Sequence, residues 1–568
     1  MALYRPMHTR FLKAIFTASL LAVLPGKGLY AQSFNVDSAL SAMSIDEKIG
    51  QLFMVAAYSN KGEDHQAELE KLVRQYHIGG VITMQGGPER QKKLLHRLQS
   101  AAAFPLLVGQ DAEWGQAMRL DSTYKFPTSL TVGAAGGTMD AYDLGHALAD
   151  ECSAVGVHMS FSPVLDVNTN PNNPIIGARS FGSNPELVNA LGVAIVEGIQ
   201  DRGVLSCGKH FPGHGDTHQD SHKTLPKVDR TLKELMEVEW VPFKGAIDAG
   251  VAAIMIAHLN IPSLEPSGKP TSLSHKVIQE ILRDQWGYEG IVITDALNMK
   301  GAAAFAPPGE LELAAFAAGN DILLFPMDVP KATKAFQNAL ATDKVSIKSL
   351  DERVRRILVA KSNCRAYTDW LEAKKSADPT LITSDHGSFE REDNNQRVSF
   401  NLMRNAATLL ETGSASFPIK NLEQNFLHIA IGDFESAGTV KQYLDRYKEM
   451  PHHHGVDVDD QEMSSKDAFV VTFHQDVKNP WRRYKLEAYE KELLDRLAAT
   501  GKPVYILHFA NPYGVLSYPS LGENVRVLVM YENCLLYQSA AAAAEDKYDL
   551  VCLSYLSISD NHTTPVQL

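Results

Sequence analysis

The chain has 568 residues, 45% of them apolar and 21% charged. It is longer than one ordinary domain, and its composition suits a soluble globular protein with a large core. The formal net charge of −13 argues against a nucleic-acid binder, which normally presents a basic face. Five scattered cysteines, at 152, 207, 364, 534 and 552, exclude a dense disulfide scaffold and show no zinc-ligand pairing.

At the N-terminus, Arg5, Arg10 and Lys13 precede an apolar run from Ala14 to Leu24, and small or mixed residues lead to Ala31 and Gln32. The run is short for a bilayer span and sits where the h-region of a cleavable secretory signal sits. The expectation is a signal peptide over 1–31 and a mature protein in the periplasm or otherwise outside the cytoplasm. No stable membrane span should remain after cleavage. An uncleaved anchor is the alternative.

From 36 to 365, short apolar runs alternate with amphipathic stretches. The runs are LFMVA (52–56), GGVITM (79–84), PLLVGQD (105–111), VHMSFSPVLD (157–166), VLSCGKH (204–210), AAIMIAH (252–258), GIVITD (290–295) and DILLFP (321–326). Each is β-branched or leucine-rich with little alternation, as expected of strands buried on both faces. Helical segments such as HQAELEKLVRQY (65–76) and KVIQEILRDQWG (276–287) lie between them. Eight strands separated by helices predict a (β/α)8 barrel, with SLDERVRRILVAK (349–361) as its closing helix. Asp111, Asp166, Lys209, His210, His258 and Asp295 all stand at C-terminal ends of predicted strands. That rim is where such a barrel builds its active site.

The stretch 366–396 reads as a linker that turns helical towards its end. Beyond it, over 397–568, the runs FLHIAIG, AFVVTF, PVYILHF and VRVLVMYE and the helical KLEAYEKELLDRLAAT (485–500) predict a second, smaller α/β domain. His452–His454 reads as a solvated loop rather than a metal site.

The densest group of ionisable residues is KHFPGHGDTHQDSH (209–222), after the fifth strand, with four histidines and two aspartates. Glycosidic bond cleavage needs a nucleophile on one face of the sugar and a proton donor beside the leaving oxygen. Asp295 suits the first task, although an aspartate capping the next helix is the bland alternative. Asp220 and His222 stand two apart, so the carboxylate can orient and polarise an imidazole that serves as both acid and base. His210, His214, Asp216 and His222 also make a candidate zinc set. Against it, metal-dependent barrels commonly place a His-x-His pair at the first strand, and LFMVAAY has none. A polar cluster that only braces the loop is the third reading.

KHFPGHGDTHQDSH resembles the signature of the N-acetyl-β-glucosaminidase branch of glycoside hydrolase family 3. VGQDAEWGQAMRL (108–120), SPVLDVN (162–168), GARSFGSNP (177–185), MIAHLNIP (255–262) and ITDALNMKGA (293–302) support it in chain order. The resemblance implies a barrel followed by an α/β sandwich-like domain. It implies a retaining enzyme that removes terminal β-linked N-acetylglucosamine from peptidoglycan fragments or chitooligosaccharides. Asp295 matches the nucleophile, and His222, paired with Asp220, matches the acid/base. Asp111, Arg179, Lys209, His210, Asp166 and His258 match the residues that hold the sugar hydroxyls and the acetamido group. His214 and Asp216 are expected to shape the loop. No metal or organic cofactor is implied, and the expected partner is a small saccharide or muropeptide.

Two departures stand out. DAEWG replaces the commoner DQEGG, so Trp114 is expected to alter the rim of the sugar pocket. The final stretch, DKYDLVCLSYLSISDNHTTPVQL, lacks the family's Gly-x-Leu-Pro-Val type of closing strand, so an incomplete or divergent second domain is expected. The rival readings are a family-3 β-glucosidase, a phosphorolytic variant, and a non-catalytic saccharide-binding protein.

Overall fold

A computed structural model describes residues 34–218, 224–376, 388–410, 419, 421–432, 437–446, 448–475, 485–519 and 521–532. The expected signal segment, the loop residues Asp220 and His222, and the closing stretch of the chain lie outside these residues.

Eight short parallel strands follow one another: β1 (Phe53–Ala57), β2 (Gly80–Thr83), β3 (Leu107–Gln110), β4 (Met159–Ser160), β5 (Leu205–Phe211), β6 (Ala253–Ile256), β7 (Ile291–Thr294) and β8 (Leu323–Leu324). They pair in the order β7-β6-β5-β4-β3-β2-β1-β8, and a bridge between Ile293 and Ile322 joins the two ends. The sheet is therefore the expected (β/α)8 barrel. Each apolar run supplies one strand, and these strands are buried almost throughout because helices cover the outer face. Ile347–Ser362 is the closing helix, capped by the Ser346 side chain, and its Leu350, Val354, Ile357 and Leu358 are buried on one face.

The fourth strand is much shorter than VHMSFSPVLD suggested. Pro163 has no N–H to give to the ladder, and pairing resumes only as a single bridge between Val164 and Lys209. Asp166 thus reaches the rim on irregular backbone, held by the Leu165 N–H donating to the Lys209 carbonyl at 2.6 Å.

A second sheet contains β9 (Thr408–Leu410), β10 (Phe426–Gly432), β11 (His452–His454), β12 (Ala468–His474), β13 (Val504–Phe509) and β14 (Val525–Val529). Its order is β11-β10-β12-β13-β14-β9, parallel except for β9. Alternate residues of the central strands face two apolar layers. Leu427, Ile429, Phe469 and Val471 enter one, and Phe426, Val470, Tyr505 and Leu507 enter the other.

Two stretches differ from expectation. His452–His454 is an edge strand rather than a loop, because β10 offers it a parallel partner, with His428 opposite His452. The connector 366–396 begins with a helix, Ala366–Lys375, packed on the barrel. There Trp370 Nε1 donates to the Ala102 carbonyl at 3.0 Å, and buried Asp369 meets His158 Nε2 at 2.9 Å.

The second sheet is tied to the barrel's β3–β4 side. Glu532, just past β14, accepts from the Thr128 N–H at 2.7 Å, the Thr128 hydroxyl at 2.9 Å and the Thr131 hydroxyl at 2.5 Å. Leu130 of the barrel inserts into the second domain's core. Among the described residues, no helix is long and apolar enough to cross a membrane.

Candidate active site

Strand ends deliver the site residues. Asp111 follows β3, Lys209 and His210 lie within β5, His258 stands two residues past β6, and Asp295 directly follows β7. Lys209 is the hub of a buried charge network: its Nζ donates to Asp111 Oδ1 at 2.8 Å and lies 2.8 Å from Glu113 Oε1. Arg179 grips Glu113 with two parallel bonds, Nε to Oε2 at 2.9 Å and an NH2 to Oε1 at 2.7 Å. Arg119 pairs with the other oxygen of Asp111. Such forks hold planar groups in one orientation.

Charge, not burial, decides the protonation of these carboxyls. Burial pushes Asp111 upward, but Lys209 and Arg119 outweigh it and hold the carboxyl well below its usual range. Burial likewise raises Glu113, yet Arg179 and Lys209 bring it down to about 2. Both are anions at neutral pH, held so by the cations they face.

His210 and Asp166 form a second buried pair, with the histidine Nδ1–H on Asp166 Oδ2 at 2.7 Å. The other Asp166 oxygen accepts the backbone N–H of His214 at 2.7 Å. The remaining His210 nitrogen, Nε2, lies 3.4 Å from Arg179, so the two networks touch.

Asp295 is positioned by its own turn, its Oδ1 accepting the Ala296 N–H at 2.7 Å. Burial pushes this carboxyl up, but His258, His210, the Ala296 N–H and Lys209 together keep it below the ordinary value. An ionised, partly buried carboxylate at the barrel mouth is a competent nucleophile. His258 Nε2 meets the Ala296 carbonyl at 3.0 Å, so this nitrogen carries the proton, and Nδ1 meets the Ser272 hydroxyl at 2.6 Å. Both nitrogens are thereby engaged, Nε2 with the segment that carries Asp295 and Nδ1 with the Thr271–Leu273 turn.

The described residues expected to hold or attack the sugar thus meet at one rim: Asp111, Asp166, Arg179, Lys209, His210, His258 and Asp295. Asp220 and His222 fall outside the described residues. Glu113 and Arg119 were missed. Their only sequence signal was membership in VGQDAEWGQAMRL, since the Arg179 contact spans 66 residues. As for the zinc reading, His210 is bound to Asp166, His214 Nδ1 to Thr217 and Asp216 to Arg230. Among the described residues no group of three or more His, Cys, Asp or Glu could hold a metal ion.

Glu113→Gln should be costly. It leaves Lys209 and Arg179 buried against a neutral amide, a loss of about 3–5 kcal/mol when a buried pair is broken. The wild-type contribution of Glu113 is present above its unfolded pKa, near 4.5, and is lost as pH falls towards about 2. Urea midpoints should therefore differ strongly at pH 7 and converge in acid. Equal midpoints at pH 7 would remove Glu113 from the network.

Residues 44–360 match the family model described as "Glycosyl hydrolase family 3 N terminal domain". The chain is 31% identical over 413 residues to "Beta-hexosaminidase A" of Pseudoalteromonas piscicida, covering 67% of each chain. It is 27% identical over 429 residues to "Beta-N-acetylglucosaminidase/beta-glucosidase" of Cellulomonas fimi, covering 73% of this chain and 75% of that one. Among solved structures, a family 3 beta-N-acetylglucosaminidase from Paenibacillus sp. str. FPU-7 superposes with a TM-score of 0.70 at 29% identity, over 88% of this chain and 96% of that one.

Proposed function

This chain belongs to glycoside hydrolase family 3 and is a glycosidase, and from that premise we propose that it is a retaining exo-β-N-acetylhexosaminidase. It releases terminal non-reducing β-linked N-acetylglucosamine through a covalent glycosyl-enzyme intermediate. The observation that carries this reading is Asp295, an ionised carboxylate fixed at the end of β7 within reach of the fields of Lys209 and His210. Asp295 attacks the anomeric carbon. His222, oriented by Asp220, protonates the leaving oxygen and then takes a proton from the incoming water. Asp111, Arg179, Lys209 and His210, with Asp166 behind His210, bind the hydroxyls and the acetamido group. His258 orders the nucleophile segment.

The name of the Cellulomonas relative covers both sugars, which favours β-glucosidase as the second reading. Peptidoglycan fragments or chitooligosaccharides are the proposed substrates and the periplasm the proposed location, both resting on the signal-like segment 1–31. The deciding experiment is a panel of aryl β-glycosides assayed with and without phosphate. The expected result is hydrolysis of the N-acetylglucosaminide in preference to the glucoside, with no phosphate dependence. Preference for the glucoside would establish the second reading, and a sugar phosphate product would establish phosphorolysis. Dialysis against a strong chelator should leave the rate unchanged, whereas activity restored by zinc would require a metal-activated water.

A further inference from the structure

Asp216 and Arg230 are 14 residues apart, yet Arg230 Nε donates to Asp216 Oδ2 at 3.0 Å. The stretch between them contains Asp220 and His222. Arg230 also donates through an NH2 to Thr169 Oγ1 at 3.0 Å, and that hydroxyl donates to Asp216 Oδ1 at 3.3 Å. The three side chains close a ring that ties both flanks of the stretch to the segment after β4. On the N-terminal flank, Asn173 Nδ2 donates to the carbonyls of His214 at 2.9 Å and Gly215 at 3.0 Å, and Asn170 Nδ2 to that of Thr217 at 3.1 Å. A Cβ at Gly215 would run into the Val167 carbonyl oxygen, so the backbones approach as closely as glycine allows. On the C-terminal flank, the Ser263 hydroxyl donates to the Arg230 carbonyl at 2.7 Å.

We propose that Arg230 is a positioning residue for catalysis: by clasping Asp216 and Thr169 it fixes the base of the stretch that carries His222, and so fixes where the proton donor stands. The inference rests on the acid/base role given to His222. Tying two points of a chain together restricts the conformations open to what lies between them, and a general acid is effective only within hydrogen-bond reach of the leaving oxygen. Two further carboxylates lie near the same guanidinium. Glu239 Oε1 lies 3.5 Å from Arg230 Nε, and Glu234 Oε1 3.9 Å from an NH1. The planar guanidinium reaches Asp216 through Nε and Thr169 through an NH2, a fork that a lysine point charge matches less well. Burial pushes the Glu239 carboxyl up to about 7 against the pull of Arg230, so this group can take up a proton if the arginine is removed, and the fold need not collapse.

The test compares Arg230→Met, Arg230→Lys and His222→Ala on two N-acetylglucosaminides, one with a poor alkyl or sugar leaving group and one with an activated nitrophenyl group. Arg230→Met should lower kcat/KM for the poor leaving group by about 10- to 10²-fold, the usual penalty for misplacing a catalytic group by about 1 Å. It should leave the nitrophenyl glycosylation step nearly intact. Arg230→Lys should recover part of the loss, and azide should speed nitrophenyl turnover of Arg230→Met as it does for His222→Ala. An equal loss on both substrates, or none on either, would overturn the inference. Asp216→Asn alone and combined with Arg230→Met gives a second measure. Strictly additive losses would mean that the pair does not act as one clasp. If His222→Ala itself shows no leaving-group dependence, the acid/base assignment fails; if only Arg230→Met lacks it, the clasp fails.

Discussion

Asp295→Ala should reduce turnover of every β-glycoside by roughly 10⁴–10⁶-fold, the scale seen when a covalent nucleophile is removed. The loss should not depend on the leaving group, because without the carboxylate no glycosyl-enzyme bond can form however readily the aglycone departs. The structure gives reasons to expect a clean kinetic effect. Asp295 accepts a hydrogen bond from the next residue's N–H, and the charge network around Lys209 is held by Asp111 and Glu113 without it. His258 keeps its Ser272 and Ala296 partners. Thermal unfolding of the variant should therefore lie close to wild type. Retention of more than about one per cent of wild-type rate on an activated substrate would place the nucleophile elsewhere.

His222→Ala should behave differently. On natural sugars the loss should be about 10²–10⁴-fold, the usual worth of general acid–base catalysis, or roughly 3–5 kcal/mol of barrier. A nitrophenyl group departs without a proton, so the first step should survive. Breakdown of the intermediate, which needs a base, should then limit the rate and reveal a burst of nitrophenol. Azide needs no base and should speed turnover while yielding a β-glycosyl azide. Equal slowing of both substrates with no azide effect would send the search for the proton donor to another residue.

The barrel was legible because its strands are covered on both faces, so each reads as an unbroken apolar run ending in a polar residue at the rim. Asp111, Asp166, Lys209, His210, His258 and Asp295 could be picked out on that ground alone. Arg179 and the roles of the site residues came from the resemblance. Hidden from the sequence were contacts between distant segments. The Glu113–Arg179 fork joins loops after different strands. Glu532 reaches Thr128 across 404 positions, and the Asp216–Arg230 clasp depends on where Thr169 lies. Pairing context also overrode local composition: three consecutive histidines became the edge strand β11 because β10 offered its free edge. Pro163 cut short a fourth strand whose composition alone suggested ten residues of VHMSFSPVLD.

The most direct test is where the sugar becomes attached. A fluorinated N-acetylglucosaminyl donor with a good leaving group should form the intermediate faster than water can break it. After proteolysis, tandem mass spectrometry should find the added sugar mass on Asp295, and on no peptide of Asp295→Ala. Attachment to another residue, or a first-formed product of α configuration without any adduct, would contradict a retaining mechanism through Asp295.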